Sequence, residues 1–498
     1  MSSKKLSKKE IEKLVGRKFS ESSIENVEAA LKESTLDVLK GTNVWWETGS
    51  VPEALIPENK RFLFDDLLGF LEDRRIIGVL GPRRTGKTTL MYQLIEFLVK
   101  ERKVNPKQIL FFSGDDAELK LIDEQTKSGI GVITKTYFED YLKQDYYKGK
   151  KVFIFIDEVH KISDWQLWLK KLYDLKYNVK IIVSGSSIAK IRQGQKESLT
   201  GRIIEFILFP LNFQEFLKFN NLETPVKKVR IEEINSETVR QLKEIGLNER
   251  LQLKKMFYEY LLVGGFPEWF ETKNIQKWQL KLKQDVIKRV IYDDIATLYK
   301  VKNPSQLESL LLVLSSLQSQ CYSYNSIANT LKIDNETAQN YVNYLKESFL
   351  VFELQNFGTS IERQIRKNYK YALIDSGLRN ALKRITELEK VNALNKGFII
   401  EGSVQQQLFK IAEKESIKVF YYKNKEEIDV IVKGKKVIPI EVKFTEQTRQ
   451  KSLRGITKFM EKNKLKKGIM ITKDKIDLIK IKEKEIIMIP IWLFELMI

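Results

Sequence analysis

Apolar residues in this chain follow two rhythms, and each predicts a different kind of element. Short unbroken runs recur through the first half: residues 76–80 (IIGVL), 108–113 (QILFFS), 150–159 (KKVFIFIDEV) and 180–187 (KIIVSGSS). An apolar run without polar alternation is what a parallel strand buried on both faces requires. Between the runs lie stretches with apolar residues three and four apart, as in 89–100 and in 163–173, where Trp165, Leu169 and Leu172 share one side. The two rhythms alternate at a spacing that predicts a doubly wound parallel sheet over residues 61–217. Upstream, residues 21–40 carry Ile24, Val27, Leu31, Leu36 and Leu39 near helical spacing, so 1–60 reads as an N-terminal helical extension.

The second half is patterned differently. Residues 218–305 form a charged helical lid or linker, interrupted by glycine and proline at 262–270 (LVGGFPEWF). Residues 306–355 read as a winged helix. A helix over 324–331 points Ile327, Ala328 and Leu331 inward, and Asp334 caps a second helix over 335–347 that buries Ala338, Tyr341, Val342 and Leu345. A wing strand follows at 349–354. The outward face of the second helix carries Gln339, Asn340, Asn343 and Lys346, side chains suited to base edges or phosphates in a major groove. Such folds also serve as plain protein contacts. Residues 356–498 alternate again, with strands at 368–375, 418–422, 427–432, 437–443, 468–472 and 485–489 and helices at 396–412 and 452–463.

The first strand runs straight into Gly81-Pro82-Arg83-Arg84-Thr85-Gly86-Lys87-Thr88-Thr89, and a helix starts at once. Glycines at both ends of such a loop let backbone N–H groups converge on phosphate oxygens. Lys87 reaches the β- and γ-phosphates of ATP, and the Thr88 hydroxyl takes a Mg²⁺ position. The run ending in Asp157-Glu158 supplies the acidic partners: Asp157 orders the metal's shell and Glu158 polarises the attacking water. His160 beside them reads as structural. The next run ends in hydroxyls, so Ser184 or Ser186 is placed to sense the γ-phosphate. Arg202 follows, either as a finger for a neighbouring subunit's nucleotide or as half of a local salt bridge.

Composition narrows the classes. One cysteine, Cys321, excludes an internal disulfide and a thiolate zinc site, and a single histidine excludes a multi-histidine metal centre. Metals must sit on carboxylates, which favours Mg²⁺. No apolar run approaches the roughly 18 residues of a membrane span, so a cytoplasmic protein with no membrane partner is expected. The formal charge of +20 favours a polyanionic partner, DNA rather than RNA, although a lysine-rich genome bias produces the same excess.

The segments GPRRTGKTT, FIDEVHKISDW, IVSGSS, LTGR and FPLNFQEF, in that order, resemble the AAA+-like Walker ATPases of archaea and bacteria. Glu401 on a helix, Asp429 opening a strand and Glu441-Val442-Lys443 on its partner resemble the PD-(D/E)XK nuclease fold. On a pleated strand Glu441 and Lys443 share a face. Asp429 then joins Glu441 to hold Mg²⁺, with Glu401 in support and Lys443 stabilising the phosphate. In order, the parts resemble a family that fuses a Walker ATPase to a winged helix and a nuclease-like C-terminal domain.

The expected fold is thus α/β: a P-loop NTPase core, a helical and winged-helix module, and a restriction-endonuclease-like domain over 356–498. The expected function is ATP binding and hydrolysis with Mg²⁺, DNA binding, and a metal-dependent nuclease-like tail, with assembly into a homo-oligomer left open. The alternative is an ATP-dependent regulatory switch whose tail binds nucleic acid or a protein without cleaving.

Overall fold

The apolar runs of the first half become one sheet. In the computed structural model, which describes residues 21–126, 128–186, 199–358, 368–444 and 450–498, five strands are all paired in parallel. They are β1 (Ile76–Leu80), β2 (Ile109–Ser113), β3 (Val152–Asp157), β4 (Val179–Gly185) and β5 (Ile203–Ile207), in the order β2-β3-β4-β1-β5. β1 and β3 are buried along their whole length, as their unbroken apolar sequences require. The helix Lys87–Lys100 buries Leu90, Met91, Leu94, Ile95 and Leu98. β5 begins earlier than the apolar run at 206–217 indicates. It is the sheet's edge, half-exposed throughout, so its sequence IIEFI need not be uniformly apolar.

The opposite edge, β2, is covered by the N-terminal extension. After the helix Glu21–Thr42, the Asn43 side chain donates to Phe111 O at 2.8 Å and accepts from Phe111 N at 2.6 Å, as a neighbouring strand would. The indole N–H groups of Trp45 and Trp46 both donate to Ile109 O, at 3.1 and 2.7 Å. An open strand edge carries unpaired backbone groups, and here side chains satisfy them. Asn43→Ala leaves both backbone groups of Phe111 without these partners inside a buried contact. We expect a loss of about 3 kcal/mol, read from urea unfolding; a change below about 0.5 kcal/mol would show that the edge is held by packing alone.

The chain divides into two compact units, one running to Gly81 and resuming over Gly86–Leu208, the other comprising Pro82–Thr85 and Phe209–Ile498. In the second, β6 (Cys321–Tyr322), β7 (Val351–Asn356), β8 (Tyr369–Leu373), β9 (Lys418–Lys423), β10 (Glu427–Lys433), β11 (Val437–Lys443), β12 (Lys467–Thr472), β13 (Asp477–Ile481) and β14 (Lys484–Pro490) form a mixed sheet. Its order is β13-β14-β12-β11-β10-β9-β7-β8-β6. The helices Tyr324–Leu331 and Asn335–Glu347 pack together, and Asp334 caps the second by accepting from Thr337 N at 2.8 Å. β7 then pairs with β8 on one side and, in parallel, with β9 on the other. The boundary expected between residues 355 and 356 therefore falls inside a strand of a continuous sheet.

Two buried acids organise this unit. Asp375, at the end of β8, accepts from Gly377 N (2.8 Å), Leu378 N (3.2 Å) and Gly265 N (2.8 Å), and so ties the glycine-proline segment to a helix start. Glu495 lies in the helix Ile491–Met497 and accepts from Ser403 Oγ. Burial pushes its carboxyl up to about 7 from an ordinary 4.5. Between those values the folded chain keeps a proton that the unfolded chain has released, so this residue's contribution to stability falls as pH rises from about 4.5 to 7. Glu495→Gln stays neutral and can still accept from Ser403. We expect it to be more stable than the native chain by about 2–3 kcal/mol at pH 8 and equal to it near pH 4, measured by denaturation at both.

Candidate functional site

The phosphate loop has the backbone that its sequence demands. Gly81 has φ +149°, and a Cβ there would lie 2.3 Å from Leu208 O; Gly86 has φ +90° at the start of the helix Lys87–Lys100. Only glycine takes both positions without strain. Lys87 is buried, with Nζ 3.1 Å from Gly81 O and 3.9 Å from Glu158 Oε1. Thr85 Oγ1 donates to Pro82 O at 3.0 Å. Arg83 and Arg84 group with the second unit. There Arg83 forks onto Asp294, with both contacts at 2.7 Å, and Arg84 pairs with Glu268 and Asp285. Thr89 follows in the first turn of the helix, half-buried.

Opposite the loop, Asp157 and Glu158 close β3. Thr88 Oγ1 donates to Asp157 Oδ2 at 2.9 Å, and Ser184 Oγ donates to Asp157 Oδ1. Burial and the adjacent Glu158 charge hold the Asp157 carboxyl above its ordinary range. Such a buried pair of acids is poised to take up positive charge. A hydroxyl and a carboxylate together are a hard-oxygen donor set, which fits Mg²⁺. Glu158 has left-handed backbone (φ +47°), uncommon for a residue with a side chain. Its N–H donates to Ser184 Oγ at 3.0 Å, while Ser186 Oγ donates to its Oε2 at 3.2 Å and His160 Nδ1 lies 3.4 Å from the same oxygen. Both serines that the sequence offered as sensors thus touch the acidic pair: Ser184 orders Asp157, and Ser186 orders Glu158. Ser187 lies outside the described residues. Arg202 is half of a local fork, with Nε 2.7 Å and Nη2 3.1 Å from the two Asp174 oxygens.

Residues 73–217 match the family model described as an AAA domain. Residues 73–217 are therefore similar to an AAA domain, with a phosphate loop that fits ATP. Two models of domains of unknown function match the remainder, DUF8612 over 254–389 and DUF4143 over 396–494. Among curated proteins, the chain is 28% identical to the uncharacterized protein MJ1637 of Methanocaldococcus jannaschii, over 83% of this chain and 85% of that one. It is 26% identical to MJ1544 of the same organism (84% and 87%) and 22% identical to an uncharacterized Haemophilus influenzae protein (67% and 78%). Solved structures with local similarity include AMPPCP-bound DnaA from Aquifex aeolicus, 16% identical with TM-score 0.23 over 59% of this chain and 90% of that one. PCH-2 from C. elegans is 19% identical, with TM-score 0.24 over 38% and 54%. Among the described residues no helix is long and apolar enough to cross a membrane.

The second unit gathers its own polar centre on β8, β10, β11 and the helix Ala393–Ala412. Val430 pairs with Ile440, which sets Asp429 opposite Glu441 one step along the hairpin. Asp429 Oδ2 accepts from Val442 N at 2.8 Å. Glu441 Oε1 meets Lys443 Nζ at 2.6 Å, the same-face pair expected from the pleat. Glu441 is only 7% exposed, and its Oε2 is buried with no hydrogen-bond partner. Glu401 is held by Lys370, Nζ to Oε1 at 2.9 Å, and by Gln405 at 3.0 Å. Burial first, and then the charge of Asp429, pushes the carboxyls of Glu401 and Glu441 up to about 8. Burial alone would push the Lys370 ammonium down, but Glu401, Asp429 and Glu427 outweigh it and hold it up.

Lys370 was not singled out in the sequence. The signal was there: a lysine inside the apolar strand YKYAL, buried at every position. Among the described residues, no three His, Cys, Asp or Glu side chains gather as a group that could hold a metal ion. On the helix Asn335–Glu347, Gln339 and Asn340 are exposed and Asn343 is half-buried, while Lys346 Nζ is engaged by Glu353 Oε1 at 2.8 Å.

Proposed function

We propose that this protein hydrolyses ATP at the loop Gly81–Thr88 and acts on DNA through its second unit, where Asp429, Glu441 and Lys443 form a nuclease-type centre. The hydrolytic half is supported by the acids at the end of β3. Glu158 is fixed by Ser186 and by its own strained backbone, in position to orient and deprotonate the attacking water. Lys87 neutralises charge on the β- and γ-phosphates, and Ser184 keeps Asp157 aimed at Thr88. Mg²⁺, held by Thr88 and Asp157, would spread the developing phosphate charge.

The nuclease-type half rests on one observation, the unpartnered Glu441 Oε2 facing Asp429 across a strand pair. Left alone, a buried carboxylate oxygen costs free energy, and a site that takes a cation removes that cost. A divalent cation there would act as a Lewis acid on a phosphodiester. Lys443, on the same face as Glu441, stabilises the added negative charge on the phosphate. Gln339, Asn340 and Asn343 are the polar face that would meet the duplex, and the +20 charge favours that encounter.

The test is cleavage of single-stranded, duplex and branched DNA with Mg²⁺ or Mn²⁺, with and without ATP. Native protein is expected to cut, and Glu441→Ala to bind DNA equally well without cutting. Cleavage that survives Glu441→Ala overturns the assignment of the centre. Intact ATP hydrolysis without any cleavage leaves the second unit a binding module. The bland competitor for the +20 charge is separated by salt: phosphate contacts make log affinity fall linearly with log salt, and a flat response overturns DNA binding.

A further inference from the structure

The two arginines of the phosphate loop are both engaged by carboxylates. Pro82–Thr85 packs with the second unit, while the glycines that flank it, Gly81 and Gly86, belong to the first. Arg83 Nε and Nη2 each lie 2.7 Å from a different oxygen of Asp294, and the two side chains are 15% and 8% exposed. Arg84, with left-handed backbone (φ +67°), pairs with Glu268 and, at 3.2 Å, with Asp285. Partly exposed pairs such as those of Arg84 contribute little, whereas a fork taken out of water is a strong and directional contact. Asp285 and Asp294 lie nine residues apart on the helix Leu282–Ile295. In an α-helix of about 3.6 residues per turn, that spacing is about two and a half turns and puts side chains on opposite sides. This helix is π-wound. Bonding to the fifth residue instead of the fourth gives roughly 4.4 residues per turn, so the same spacing is about two full turns and both acids face one way. Such turns are rare and frequently mark functional sites. Here the winding lets two neighbouring loop residues reach two acids of one helix.

We propose that Asp294 is a positioning residue for the nucleotide, acting through Arg83: the fork holds Pro82–Thr85 in the shape that phosphate binding needs, and nucleotide binding in turn steadies the helix Leu282–Ile295. This rests on the reading of Gly81–Thr88 as the ATP loop. The segment needs an anchor because both of its flanking glycines have positive φ, where the backbone is least restricted by side chains. Arg84 between them adopts a conformation that side chains disfavour, so its surroundings must hold it there. A loop ordered before binding loses less conformational freedom when the ligand arrives, and affinity rises. Linkage makes the effect reciprocal: whatever the fork adds to ATP affinity, ATP adds to the fork and so to the helix that carries Asp294. The competing use of Arg83, as a direct phosphate ligand, requires it to leave Asp294, and predicts the opposite sign when that acid is lost.

Calorimetric titration of the full chain with a non-hydrolysable ATP analogue and Mg²⁺ reads that sign. Asp294→Asn keeps the shape of the acid without its charge. Asp294→Asn and Arg83→Met are each expected to weaken binding at least about tenfold, and the double variant to bind no more weakly than the weaker single, because both changes break one contact. Tighter or unchanged binding by a folded Asp294→Asn protein overturns the proposal, as does a double variant in which the two single losses multiply. The native chain supplies a second measurement that needs no variant. The analogue should slow amide hydrogen exchange within residues 282–295 at least about fivefold, an effect that a merely structural ion pair does not produce. Exchange there that ignores the analogue overturns the proposal even if Asp294→Asn fails to fold. If the native chain binds no analogue at all, the reading of the loop itself falls, a result distinct from the others.

Discussion

Lys87→Ala is expected to lower ATP hydrolysis by at least about 100-fold, the scale of losing one charged donor to a transition state in a water-poor site. Lys87 is the first residue of its helix and is almost fully buried, so its Nζ cannot wander. It lies between the loop carbonyl of Gly81 and the acid Glu158, at 3.1 and 3.9 Å. These contacts hold the ammonium beside the loop, where it would meet the β- and γ-phosphates of ATP. Alanine removes that charge while the loop keeps its glycines and its backbone N–H groups. ATP affinity should therefore weaken and turnover should collapse, measured as steady-state phosphate release beside nucleotide binding. Hydrolysis within threefold of native would mean that the loop is not the hydrolytic site.

Glu158→Gln should separate the two steps. A base acting on the attacking water is worth roughly 10²–10⁴ in rate, so turnover should fall by that much while ATP affinity stays within a few-fold. The glutamine keeps an oxygen for Ser186 and keeps the shape of the side chain, but it cannot take a proton. The backbone of Glu158 is left-handed and its N–H is tied to Ser184, while Ser186 holds the carboxylate. A strained residue held by its neighbours commonly marks a working site. If Glu158→Gln hydrolyses ATP at the native rate, water activation belongs to another group and Glu158 is an ordinary acidic strand end.

The two centres differ in how openly the chain displayed them. The phosphate loop is one contiguous stretch, and its glycines, lysine and threonine work through the backbone they themselves create. Asp157 and Glu158 end a strand whose apolar run is unmistakable. Glu441 and Lys443 are two residues apart, and a pleated strand alone puts them on one face. These features depend on neighbours in sequence, so periodicity and motif reached them.

Lys370 shows where that reach ends. It sits 31 residues from Glu401 and meets Glu427 and Asp429 only because β8, β10 and one helix face pack together. The same holds for Asn43, which copies a strand's hydrogen bonds to Phe111 across 68 residues of chain. It holds for β7 as well: its pairing with β9 joins the expected wing to the tail in one sheet. Arg202 falls between these cases, since its position after β4 was legible but its choice of Asp174 was not.

From residue types and spacing alone came the strands of the ATPase core, the chemistry of the phosphate loop, and the one-face placement of Glu441 with Lys443. Tertiary structure alone decided which edge the extension covers, where the second sheet is continuous, and which carboxylates an internal ammonium occupies. Local pattern specifies what a segment can bury and bond. Which distant segment supplies the partner is settled only when strands and helices dock and every buried polar group must find one.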